Sequence, residues 1–365
     1  MNKILLIGLL LLNIKMTIAQ TVDLSSVDEF FKVTSTLKEG KELSEDQWVD
    51  FDSSACYKNY AIRQNQFVIN TIKNSLKIVF ESDSLFEKDS ILSITKAKMK
   101  MDSKMMFKKN ILINYLNINS NYDSIKSFRE NYDFNELVDK SKHRLSSFLG
   151  QPLDSTIILK PVYFLFITAD GKNGKEALYV DLNLIYKKTE QQRIDFLAHE
   201  FFHNYREHFE NHDYNYKNDL NYLLDMIQNE GIADLIDKSK GYENFFSENG
   251  ELTEMGEIFI DLYNTAQNDI ERLQDLVVKY SNNEISETKM IDGLMEVVKY
   301  NGHPIGFYMA NQIVKAGYQD QVLKTFYNPY EFYSLYNKAA KEQNLFQLNN
   351  EFMVYLKETT KEYYR

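Results

Sequence analysis

From residue 21 to about 150, apolar side chains recur at helical spacing: Phe30, Phe31, Val33 and Leu37 form one set, and Phe67, Val68, Ile72, Leu76, Ile78 and Val79 another. Apolar positions three and four apart share one helix face, so this stretch predicts a helical scaffold. Ser82 to Ser84 and Asn119 to Ser124, rich in Ser, Asp and Asn, read as turns or helix caps within it. The period changes between Ser155 and Tyr186. There Ile157-Ile158-Leu159, Val162 to Ile167 and Ala177 to Leu182 are short apolar or alternating runs, which predict a small sheet. Ala169-Asp170-Gly171-Lys172-Asn173-Gly174 separates the last two runs and predicts a hairpin.

Helices resume at Thr189, which with Gln192 has the form of a capping box. Ile194, Leu197, Ala198, Phe201, Phe202, Tyr205 and Phe209 then make an apolar stripe along one side. Further helices are predicted at about 219–239, 254–280, 286–300, 304–316 and 330–343. The expected fold class is α+β and predominantly helical. Its expected parts are a leader at 1–19, a helical region at 20–150, and a region at 151–365 holding the sheet (about 155–186), the helices at about 189–239 and a helical C-terminal part. The last two regions are either separate or one continuous unit.

Composition narrows the classes. The chain is 44% hydrophobic and 26% charged, with 25 Tyr and 24 Phe against 4 Pro and 13 Gly, a balance that favours packed helices over loops. Lys3, the apolar run Ile4 to Leu12, and Thr17-Ile18-Ala19 before Gln20 have the layout of a secretory signal peptide cut after Ala19. Nine apolar residues fall short of the roughly 20 that a spanning helix needs, so export to a periplasm or beyond the cell is expected, without stable membrane insertion. The net charge of −11 becomes −11 − 2 = −13 once Lys3 and Lys15 leave with the leader, which argues against nucleic-acid partners. Cys56 is the only cysteine, so no intramolecular disulfide can form, and it reads as a small buried apolar residue.

The candidate chemistry lies in His199-Glu200-Phe201-Phe202-His203, an H-E-x-x-H sequence on the capped helix. Imidazoles four residues apart lie about 40° apart around the axis and one turn apart along it, so both reach one ion. Glu200 projects about 100° from His199, beside the metal, where it can take a proton from water. Catalytic zinc takes three protein ligands and keeps a position open, and the candidate third ligand is Glu230 in Asn229-Glu230-Gly231-Ile232-Ala233-Asp234. Asp234, four residues on, shares the face of Glu230 and can accept the second ring N–H of a ligating histidine.

Together, His199-Glu200-x-x-His203 and Asn229-Glu230-x-x-Ala233-Asp234 resemble the gluzincin metallopeptidases. The leader, the helical N-terminal half with Trp48 and Tyr57, and Gly302-His303-Pro304-x-Gly306 extend the likeness to a family of secreted bacterial proteins described as zinc-dependent peptidases. The resemblance implies a zincin-like core, one Zn²⁺ on His199, His203 and Glu230, Glu200 as base, and Asp234 supporting the first histidine; Asn229, next to Glu230, is a further candidate for supporting the ligands. It also implies a peptide or protein substrate.

Departures limit the likeness. The interval from His203 to Glu230, 230 − 203 = 27 residues, is longer than in thermolysin-like enzymes, which predicts an extra turn or loop in Tyr205 to Asn218. Arg206 and Phe209 stand where a metzincin needs Gly and His, and the aminopeptidase sequence G-x-M-E-N is missing, which favours a peptidase of another kind. His208, His212 and His143 read as solvated. His303 reads either as a donor to the oxyanion formed on the scissile carbonyl or as a helix-capping histidine, with Tyr308 the alternative donor. The strand at Ala177 to Leu182 is a candidate for binding an extended peptide by strand addition, which a strand paired on both edges could not do. The alternatives to a peptidase are a zinc hydrolase of non-peptide amides or esters and a silent binding protein of the same fold.

Overall fold

Chain segments with matched apolar faces collect into two units in the computed structural model, which describes residues 22–64, 66–81, 85–94, 102–210, 219–248 and 251–361. Residues 1–19, where a leader is expected, Ser82 to Ser84 and His212 lie outside the described residues. One unit takes the described residues up to Val138 together with Lys160–Tyr186; the other takes Asp139–Leu159 together with the chain from Lys187. Among the described residues no helix is long and apolar enough to cross a membrane.

The first unit contains β1 (Val22–Asp23), α1 (Ser25–Lys38), α2 (Glu45–Ser53), α3 (Ala55–Gln64), α4 (Gln66–Phe80), α5 (Leu85–Leu92), α6 (Ser103–Ser120) and α7 (Tyr122–Asn131). The apolar periodicity governs which faces are buried: Phe30, Val33, Leu37, Ile72 and Leu76 are all almost fully enclosed. The turn expected at Asn119 to Ser124 is a single break at Asn121 between α6 and α7. Helix α8 (Phe134–Leu149) begins in this unit and continues into the other.

The sheet of the first unit combines β1 with β2 (Val162–Leu165), β3 (Gly171–Asn173) and β4 (Leu178–Asp181) in the order β1-β2-β4-β3. It departs from expectation in three ways. Ile157 to Leu159 is not a strand, because the Asp154 carboxylate accepts from Thr156 N and Oγ1 and turns the chain, leaving Ile158 exposed. The runs at 162 and 177 do not form a hairpin: β2 and β4 are parallel, and the antiparallel partner of β4 is Gly171–Asn173, within the segment expected to be a turn. Finally, Leu182–Lys187 is helical (α9), since Asp181 Oδ1 caps it by accepting from Asn183 N at 2.8 Å and Leu184 N at 3.3 Å. The β4 strand is paired on both edges, so it offers no open edge for a peptide, and strand addition there is excluded.

Asp181 also accepts from Ile167 N at 2.6 Å, Ala169 N at 3.2 Å and Asn114 Nδ2 at 2.8 Å, pinning the exit of β2 and helix α6 to the end of β4. Burial pushes its carboxyl up to about 6, against the backbone N–H groups that favour the charged form. Cys56 is buried, donates to Phe164 O at 3.3 Å, and is pushed by burial up to about 12, so its thiol is inert.

The second unit is helical, apart from a short pair, β5 (Ser247–Glu248) and β6 (Glu251–Leu252). Its helices are α10 (Glu190–Glu207), α11 (Asp219–Asp237), α12 (Tyr242–Phe245), α13 (Glu254–Ser281), α14 (Glu287–Val297), α15 (His303–Lys315), α16 (Gln319–Lys324), α17 (Pro329–Glu342) and α18 (Asn350–Thr360). The Thr189/Gln192 capping box is formed in full. Buried Arg206, at the end of α10, binds Asp225 and Gln228 of α11 and the carbonyl of Phe326, locking α10 to α11 through charge-assisted hydrogen bonds.

Candidate metal centre

Helix α10 supplies His199, Glu200 and His203, all on its inward side; α11 supplies Asn229, Glu230, Asp234 and Asp237, at spacings of four and three that keep the acids on one face. The third contributor is α15, whose first residue is His303. Its entry is fixed by backbone choice: Tyr300, Asn301 and Gly302 all have positive φ (49°, 54° and 83°), Gly302 is the N-cap, and Pro304 occupies the first turn. Gly306 of α15 lies against Gly231 and Ile227 of α11, a contact that leaves no room for a Cβ on either glycine.

This crossing closes the cluster. His203 Nε2 lies 3.0 Å from His199 Nε2 and 3.2 Å from Glu230 Oε2, and His199 Nε2 is 3.7 Å from the same oxygen. Both outer ring nitrogens are engaged: His199 Nδ1 with Asp237 Oδ1 at 3.1 Å, and His203 Nδ1 with Asn229 Oδ1 at 3.0 Å. Those partners accept, so each Nδ1 donates outward and the Nε2 of each ring is left facing inward, toward the other ring and Glu230. Two imidazole Nε2 atoms and a carboxylate oxygen thus face one another at contact distance. Glu230 Oε2 is buried and has no hydrogen-bond partner, which is costly unless a cation meets it. Ligand atoms bound to one tetrahedral zinc are about 3.3 Å apart, given metal–ligand distances near 2.0–2.1 Å, so the three observed separations fit such an ion.

The buried acids make the cluster a place that favours positive charge. Burial opposes a charge on His203, but Glu230 outweighs it and raises the ring to about 9. Burial likewise opposes charge on Glu230, yet His303 and His203 hold it well below the usual carboxylate range. For His303 burial is outweighed by Asp234 and then Glu230, which raise it to about 9.

His303 is brought to the cluster, with Nε2 3.3 Å from Glu230 Oε2 and Nδ1 2.9 Å from Asp234 Oδ1. Asp234 therefore aligns His303, and the hydrogen bond that the resemblance assigned to it on His199 is made by Asp237; Asp234 Oδ1 lies 3.6 Å from His199 Nδ1. Asn229 supports His203. Glu200 is buried beside His203. Tyr308 is not brought in: its hydroxyl meets Gln267 Oε1 at 3.4 Å. His143 is exposed and bonded to its own helix at Asp139 O, and His208 caps the end of α10. The sequence reading missed Asp237 and Lys238; Asp237 carried a signal, being seven residues after Glu230 and so on the same helical face.

Two histidines from one helical turn and a glutamate from a neighbouring helix form a group whose ligand atoms lie close enough together to hold one metal ion. Residues 46–345 match the family model described as "Putative zinc dependent peptidase (DUF5700)", and since the match spans most of the sequence, the chain belongs to that family. No curated protein and no solved structure matches the chain.

Proposed function

We propose that the chain is a gluzincin-type zinc metallopeptidase with a zincin-like core built on α10 and α11. His199, His203 and Glu230 hold one Zn²⁺, and the observation that carries the reading is the buried Glu230 Oε2, which accepts no hydrogen bond and is ringed by imidazole nitrogens. Zinc supplies there a Lewis acid that polarises a peptide carbonyl and acidifies water. Glu200, buried beside His203, accepts the proton of the attacking water and returns it to the leaving amine. Asp237 and Asn229 keep the two ligating rings in the tautomer that points Nε2 inward. His303, aligned by Asp234, offers an Nε2–H to the oxygen that gains charge during the attack. The substrate is a peptide or protein, met outside the cytoplasm after export through the leader.

The test is zinc content together with digestion of a peptide library, set against an ester panel. Wild type should carry about one zinc per chain and cleave peptides; Glu200→Gln should keep the zinc and lose cleavage, and Glu230→Ala should lose the zinc. A Glu230→Ala protein with undiminished zinc affinity would remove this site from the reading.

A further inference from the structure

Lys238 follows the last residue of α11 and takes no part in the chemistry above. Its side chain is 6% exposed, and Nζ lies 2.8 Å from Asp234 Oδ1, 2.8 Å from Asp237 Oδ2 and 3.0 Å from Asp237 Oδ1. Those two carboxylates each hold a different imidazole: Asp237 holds His199, and Asp234 holds His303. Two buried carboxylates three residues apart on one helix repel each other strongly where the dielectric is low. One ammonium between them offsets that repulsion, and the C-terminal end of a helix favours a cation at the same place.

The fit is particular to lysine. A compact charge with three rotatable donors can serve three oxygens from one nitrogen, which a planar guanidinium cannot. The Phe245 ring covers the ammonium at 4.5 Å, and Tyr242 OH donates to the remaining oxygen of Asp234 at 3.2 Å. His199, Asp234 and His303 also lie close enough together to hold a cation, but Asp234 Oδ1 already meets the lysine there.

We propose that Lys238 is a positioning residue of the metal centre: by clamping Asp234 and Asp237 together it fixes the ring of His199 toward the ion and the ring of His303 toward the substrate. The inference rests on the reading of His199, His203 and Glu230 as the zinc site. With it, Lys238 acts on zinc affinity without touching zinc.

The experiment is competition for zinc against a chromophoric chelator, using the full chain as wild type, Glu230→Ala, Lys238→Met, Lys238→Gln and the double variant Lys238→Met/Asp237→Asn. Circular dichroism identifies the folded variants, and Gln stands in if Met does not fold. Equal affinity for wild type and Glu230→Ala would bring down the zinc site and this inference with it. Where those two differ, the Lys238 single variants should bind zinc roughly 10–100-fold more weakly. Adding Asp237→Asn should recover part of that loss, because the amide oxygen still accepts the His199 N–H while one of the two unbalanced charges is gone. A purely structural lysine would show no such recovery. A folded Lys238 variant with wild-type zinc affinity, or a double variant weaker than the single, overturns the proposal.

Discussion

Gly231 and Gly306 touch backbone to backbone where α11 crosses α15: a Cβ on Gly231 would fall 2.4 Å from the Gly306 carbonyl, and one on Gly306 would fall 2.1 Å from Ile227 O. Glu230 adjoins the first glycine and His303 precedes the second by three residues, so this contact sets the distance between the two side chains.

Gly306→Ala should therefore force the helices apart. The expected cost is about 1–3 kcal/mol of stability, from overpacking against backbone that cannot yield. Urea unfolding measures it, and zinc retention should fall in parallel as His303 and Glu230 separate. An alanine variant with wild-type stability would mean that the crossing adjusts freely.

His303→Ala should lower turnover by about 10²–10³ while zinc content holds, since the ring is read as a donor to developing charge. Tyr308→Phe should change turnover little, because that hydroxyl is engaged with Gln267. Steady-state kinetics on both variants distinguish the donors; equal losses would reject the assignment.

Arg206→Met should destabilise the protein by about 3–5 kcal/mol, because it leaves buried Asp225 without its countercharge. The midpoint of thermal unfolding is the measurement. A loss under about 1 kcal/mol would indicate that water replaces the guanidinium.

Asp181 gives a pH dependence remote from the metal ligands. Its folded-state pKa of about 6 lies above the ordinary 3.8, so the folded chain binds the proton more tightly. The stability this contributes is fully present below pH 3.8 and is lost as pH rises through 6. That gap corresponds to about 3 kcal/mol. Unfolding free energies of wild type minus Asp181→Asn should accordingly grow as pH falls from 7 to 4; a difference that shrinks would show that the five donors around Asp181 dominate instead.

Helix α10 was legible because two local signals agree: the Thr189/Gln192 cap fixes its start, and the stripe from Ile194 to Tyr205 fixes its inward face. Glu230 and Asp234 followed from their four-residue spacing. Which carboxylate serves which imidazole was not legible, since that depends on the Gly231/Gly306 crossing, a contact between segments distant in sequence. The sheet misled for a local reason: Gly171-Lys172-Asn173 has turn composition and no apolar alternation, yet it pairs with β4, while Asp181 diverts the chain into a helix where the apolar run promised more strand. The second-unit helices at 254–281, 287–297, 303–315 and 329–342 lie close to their expected spans, whereas α16 and α18 fall outside the spans expected.

The donors of the centre are scattered along the chain: Glu230 comes 27 residues after His203, and His303 another 73 after Glu230. During synthesis a growing polypeptide holds the H-E-x-x-H turn long before it holds the remaining parts, and a lone pair of imidazoles is a poor trap for an ion. On the proposed reading, hydrolytic power would thereby wait until the segment carrying His303 has been made and packed, and an incomplete chain would be harmless to its neighbours.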